Sequence, residues 1–251
     1  MHVTPSIPTT TQVARAAATP SRRVTDAPMR MFHWLFALSF LGAYVTADGE
    51  SWRLIHVTLG YTLAGLLVFR VLYGLLGPRQ AGLGQIWRKL ASAPAWLRSL
   101  TQSRSLADIN WRLGQNLLMA LAVAALLLLV LPLTLSGYAT YNDWGGFPGG
   151  DWMEDVHEFF GEAFLFVVLA HLTLIAGLSL VRRTNQARPM LTGRIDGKGP
   201  DLVQKNRVWL AALLLLAVLA FGAWEWQQSS QGLTLARAGN SPASGQVHDD
   251  D

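Results

Sequence analysis

The chain has 251 residues, of which 51% are hydrophobic and only 14% charged, with a formal net charge of +4. The apolar residues fall in long blocks whose length matches the hydrocarbon thickness a helix must cross, so lipid is the expected solvent. Cysteine is absent, which excludes disulfides, thiolate-bound zinc, iron–sulfur clusters and covalently attached c-type haem. The Lys and Arg residues sit in short segments between apolar blocks and form no continuous basic face, which argues against a nucleic-acid partner.

In chain order, residues 1–28 are rich in Thr, Ala, Ser and Pro and contain no apolar run. They read as a disordered tail with no secretory signal. Their arginines, with Asp26 as the single acid, faintly resemble an organelle transit peptide, but no amphipathic helix of useful length accompanies them. Five apolar blocks follow, over 31–47, 54–76, 113–135, 153–181 and 208–224. Each reads as a transmembrane helix, and none shows the alternation that a transmembrane barrel requires.

The loops set an orientation. Arg22, Arg23 and Arg30 precede the first helix, Arg79, Arg88 and Lys89 belong to a basic second loop, and Arg188, Arg194 and Lys205 to a basic fourth. The loop at 138–155 has acids and neither Lys nor Arg. The positive-inside rule places the N-terminus in the cytoplasm and, after five spans, the polar C-terminal tail outside. In the second loop Trp87, Leu90, Trp96 and Leu97 lie among basic residues, a pattern suited to the inner membrane surface, with Pro94 interrupting it. In the third loop Trp144, Phe147 and Trp152 suit an interfacial cap, or equally an ordinary surface loop.

The histidines are the central clue. His2 and His248 lie in the polar ends, whereas His33, His56, His157 and His171 fall inside predicted spans. An ionisable group in a membrane helix is costly and needs a partner or a task. His157 and His171 are fourteen residues apart, just under four turns, so they share a helix face at roughly 21 Å separation. His33 begins a helix entering from the cytoplasm, and His56 begins one entering from outside, which separates their depths by roughly 20 Å. His56 and His157 therefore share an outer level, and His33 and His171 an inner one.

Two facing imidazoles supply both axial positions of a haem and leave no open site on iron, which favours electron transfer over oxygen chemistry. Zinc or copper would need a third ligand at each level, and none is placed at both. Haem propionates need basic partners. Arg30 and Arg70 are candidates for the inner haem and Arg53 for the outer one, each equally explained as a topology determinant or a snorkelling side chain. Gly42, Gly60, Gly65 and Gly161 are candidates for close approach of helices or a haem face.

These residues resemble the bacterial cytochrome b561 and nickel-iron hydrogenase b-type cytochrome subunit group. The resemblance runs from Arg30-Met31-Phe32-His33-Trp34 through His56 to Tyr61 and Phe69-Arg70 to Pro78. It continues in Leu113-Gly114, Ser136-Gly137, His157-Glu158, His171 and Pro189 to Gly193, and so spans 30–194. It implies an all-α integral membrane fold with a four-helix haem-binding core over 29–195. A linker and fifth transmembrane helix over 196–226 and a polar outer tail over 227–251 depart from the smallest members.

It also implies two non-covalent haem b groups on His33, His56, His157 and His171, and location in a bacterial inner membrane. Quinone or a redox partner, such as a hydrogenase, a dehydrogenase or a cytochrome c, would exchange electrons at the surfaces. Asn142, Asp143 and Glu158 are conceivable outer-side quinone contacts, though solvated-loop and cap roles account for them more readily. The competing class is a transporter or channel with a histidine-lined proton or metal path, which would favour acids or broken helices inside the spans.

Overall fold

Asp26 starts the bundle. Its backbone is extended, its carboxylate accepts the Met29 N–H at 3.2 Å, and Pro28 sits in the first turn, so helix α1 runs Ala27–Val45 and begins four residues before the apolar block. This is a computed structural model, and it describes residues 20–103, 105, 108–142, 144 and 152–239. After α1 come α2 (Arg53–Leu76), α3 (Leu83–Leu90), α4 (Ala93–Gln102), α5 (Trp111–Tyr141), α6 (Trp152–Arg182), α7 (Arg188–Thr192) and α8 (Val208–Gly239). Two short strands, β1 (Ser21–Arg23) and β2 (Arg194–Asp196), pair antiparallel.

Helices α2, α5, α6 and the Val208–Ser229 part of α8 are long and apolar enough to cross a membrane. At 31 residues each, α5 and α6 reach about 46 Å, well beyond a hydrocarbon core of about 30 Å. The sequence suggests five spans, but α1 is not among the four that qualify. It has 19 residues and includes Arg30, His33 and Ser39. Its environment explains how it tolerates them: α2 packs on one side, α8 on another, and Phe32, Phe36, Phe40 and Ala43 are buried.

Helix α6 lies along α5, and α5 also meets α2. Phe32, Phe36, Phe40, Leu63, Leu66, Val130, Leu133 and Phe164 form the core, with Leu214 and Val218 of α8 packed against it. Gly42 serves helix contact directly, since a Cβ there would come within 2.7 Å of Leu59. The α3 and α4 pair forms no span. Trp87 and Leu97 stay exposed on it, as a surface-lying pair would have them, while α4 docks on α5 with Trp96 over Gly114.

The expected tail over 1–28 is structured from residue 20 onward, and residues 1–19 lie outside the described part. β1 pairs with β2 beyond α6, Arg194 donates to the Ser21 carbonyl at 2.7 Å, and the Val24 and Thr25 amides donate to the Gly193 carbonyl. Gly193 ends α7 at φ 77°, and a Cβ there would meet the Thr25 carbonyl oxygen at 2.7 Å, so only glycine serves. The strap is pinned to α1 by Arg30 donating to the Leu191 carbonyl and Trp34 to that of Met190. These backbone pairings, not composition, order the segment. At the other end of the chain α8 continues to Gly239, into the stretch expected as a polar tail.

Asp26 ties three helices together. It is 1% exposed, accepts the Tyr73 hydroxyl of α2, and lies 3.7 Å from the Arg207 guanidinium just before α8. Asp26→Ala removes a cap and leaves a buried hydroxyl without its acceptor, a loss of about 2–3 kcal/mol. The Arg207 side chain is about one-third exposed and its 3.7 Å contact with the buried Asp26 carboxylate is long, so the pair adds little. Thermal unfolding of the detergent-solubilised protein is expected to shift down by roughly 4–10 °C, with Tyr73→Phe giving about half that shift.

Candidate functional site

His56 and His157 come together at the end of the bundle opposite the arginine-rich strap. Their ring centroids are 5.9 Å apart and the planes nearly perpendicular. Each ring is held by its Nδ1. That of His56 lies 2.8 Å from the Ala43 carbonyl, and that of His157 lies 3.0 Å from the Leu133 carbonyl and 3.3 Å from the Ser136 hydroxyl. A donating Nδ1–H leaves Nε2 as the lone-pair nitrogen, the tautomer and fixed orientation that a metal ligand requires.

Local chain chemistry explains both anchors. The Ala43 carbonyl belongs to the last turn of α1, where helix carbonyls lose their intrahelical partners. Ser136 follows the helix-interior Pro132 and returns its hydroxyl to the Pro132 carbonyl at 2.8 Å. Gly137 makes room: a Cβ there would stand 2.7 Å from His157 Cε1.

His33 and His171 form the second pair. They lie within electrostatic reach of each other, both rings are half-buried, and the Nδ1 of each is buried without a hydrogen-bond partner. Orphaned buried ring nitrogens are costly, which fits imidazoles built to meet a partner besides protein. Among the described residues no group of three or more His, Asp or Glu gathers around a metal-sized site. The donors therefore come in pairs, as a haem with two axial ligands needs and a four-ligand zinc site does not.

Phe164 lies midway between the pairs, seven residues from each α6 histidine, and is 1% exposed. Its ring meets Phe40 at 4.4 Å and Phe36 at 6.0 Å between centroids. Helix α6 thus touches α1 at mid-height, between the two levels where the histidines face across. A Cβ at Gly60, one turn beyond His56, would meet nothing within 4 Å, and the same holds at Gly65. Open space beside the His56 ring suits a flat macrocycle. At Gly161 a Cβ would make only an ordinary contact with Leu133, at 3.9 Å.

The arginines divide. Arg30, one turn before His33, keeps a buried Nε with no partner beside its bond to Leu191, which fits an anionic group next to the His33 pair. Arg53 is exposed near the His56 level, 5.6 Å above the Tyr141 ring. Arg70 is buried and donates to the Ala81 carbonyl at 3.0 Å, lining a cavity that none of the four histidines borders. Asn142 caps α5 and donates to the Tyr138 carbonyl, and Glu158 is exposed on α6. Asp143 and Phe147 lie outside the described residues.

Sequence reasoning singled out the four histidines but not Phe164, although its seven-residue spacing from both His157 and His171 was a readable signal. The two carbonyl anchors left no signal, because backbone groups have no letter. A family model described as prokaryotic cytochrome b561 matches residues 24–193 of the chain. No curated protein and no solved structure matches it.

Gly137→Ala is expected to push the His157 ring off the Leu133 carbonyl. The purified variant is expected to bind less haem b per chain than the parent, measured by absorbance.

Proposed function

This chain belongs to the prokaryotic cytochrome b561 family, and from that premise we propose a carrier with two haems at two depths, which moves electrons between the quinone pool and a redox partner. The family makes it a multi-pass membrane protein that binds haem b and transfers electrons. The finer reading puts one haem on His56 and His157 and the other on His33 and His171. The observation that supports it most directly is the His56–His157 pair, face to edge at 5.9 Å with both Nδ1 atoms committed to acceptors.

A haem held by His56 with His157, or by His33 with His171, would supply a one-electron couple, and with both imidazoles committed to it would favour electron transfer over oxygen chemistry. The protein's part is positioning and insulation. The Ala43 and Leu133 carbonyls hold the ring nitrogens, raising their basicity toward a metal. Phe164, Phe40 and Phe36 keep water from the space between the levels, so that neither site gains a solvated route to the other. Arg30 would hold a propionate at the arginine-rich end.

Positive-inside asymmetry puts that end in the cytoplasm of a bacterium and the His56 pair toward the periplasm. Family membership favours this function over a histidine-lined transport path. The electron donor would be a hydrogenase, another dehydrogenase or quinol, with α8 covering α1 and not standing apart as a separate anchor.

Separate replacement of His157 and His171 by Ala tests the assignment. Each variant is expected to retain about one haem b per chain against two in the parent, with a different midpoint potential surviving in each potentiometric titration. Two haems retained in both variants would refute the ligand assignment.

A further inference from the structure

Arg70 is in an unusual electrical position. It is 4% exposed within α2, its guanidinium donates to the Ala81 carbonyl, and among the described residues no carboxylate lies within ion-pair distance of it. A buried cation without a counter-charge is among the most destabilising features a protein can hold. Guanidinium has five N–H donors in a planar fork shaped for an oxyanion. Among the described residues only one donation, to Ala81, is made.

The space beside Arg70 offers a place for the missing charge. A cavity of about 240 Å³ lies at the arginine-rich end between α1, α2, α3 and α5, and its wall includes Arg70, Lys89 and Gln80 together with Met29, Met119 and Val123. Asp26 also borders it, but that carboxylate is committed to Tyr73, the Met29 amide and Arg207. The uncommitted charge on the wall is therefore positive. Gly74 keeps the guanidinium in place, since a Cβ there would come within 2.8 Å of its Nη1.

The location identifies the anion. The cavity sits at the end of a membrane span, beside α3, whose Trp87 is exposed. A ligand there needs an oxyanion for the two cations, which a phosphate supplies, and an apolar portion for the methionine and valine wall. Basic pockets between helices on the cytoplasmic side suit anionic phospholipid headgroups. We propose that the cavity between α1, α2, α3 and α5 binds one anionic phospholipid, whose phosphate takes the open donors of Arg70 with Lys89 at the mouth. This site is separate from both histidine pairs and does not depend on how many haems they hold.

The full-length, haem-loaded protein in nanodiscs tests the proposal. Exchange of phosphatidylcholine for discs containing phosphatidylglycerol should raise the unfolding midpoint by roughly 3–6 °C, and native mass spectrometry should find one retained phosphatidylglycerol. Arg70→Gln should lose both effects. Should that variant fail to fold, Lys89→Gln, an exposed position, decides: the phosphatidylglycerol shift falls to about half if the site is real.

Several results would overturn the assignment. Inorganic phosphate reproducing the whole shift in phosphatidylcholine discs would give the site to a free ion. A decyl-benzoquinone giving the shift where phosphatidylglycerol does not would give it to a neutral ring. Arg70→Gln losing a haem while keeping the lipid response would give the guanidinium to a propionate. An unchanged lipid shift in Lys89→Gln would count against the proposal as well.

Discussion

Everything in this bundle turns on a spacing of fourteen residues along α6. Because that interval is close to four helical turns, His157 and His171 look out of the same face at two depths, and the opposing helices must present an imidazole to each. Helices α1 and α2 run in opposite directions and do so with His33 near the start of one and His56 near the start of the other. The core then has to keep α6 away from them at both levels while still touching somewhere. Phe164 makes that contact, wedged against Phe40 and Phe36 at the midpoint, and leaves the spaces above and below it for the paired rings.

The two ends are built differently. At the His56 end, orientation comes from backbone carbonyls: one left over where α1 stops, the other exposed to a ring by Gly137 near Pro132. At the His33 end, the Nδ1 atoms are unpartnered among the described residues and order is imposed from outside the pair, by a strap. There α7, Gly193 and the β1–β2 pairing bind the segment before α1 to the segment after α6, and Asp26 locks α1 to α2 and to the start of α8. The motif from Pro189 to Gly193, outside the spans, has its physical meaning here.

The pairing of the rings was legible because histidine is costly in lipid and helices have a fixed period, so residue type and number alone give which rings share a level. The long helices were legible for the same reason, though their ends were not: α1 starts earlier than its apolar block because Asp26 and Pro28 form a capped entry. That Asp-Ala-Pro signal was present in the sequence. Order over residues 20–25 was not readable, since it depends on long-range strand pairing of Ser21 with Asp196 and of Arg23 with Arg194. Arg70 was expected beside the inner haem, and its bond to the Ala81 carbonyl, for which Gly74 leaves room, is a contact that helical phase alone does not show. The buried position of α1 under α8 likewise follows from packing and not from hydropathy, which is why a helix with Arg, His and Ser belongs to the bundle.

Two paired imidazole levels in one family member make a claim about stoichiometry and spin that one preparation can settle. The purified, oxidised protein should be assayed for haem b per chain and examined by low-temperature electron paramagnetic resonance. Two haems per chain, both low-spin with six-coordinate signatures, are what the facing histidines predict. A single haem per chain, or a stoichiometric high-spin signal from an iron with an open axial position, would contradict the two-level arrangement.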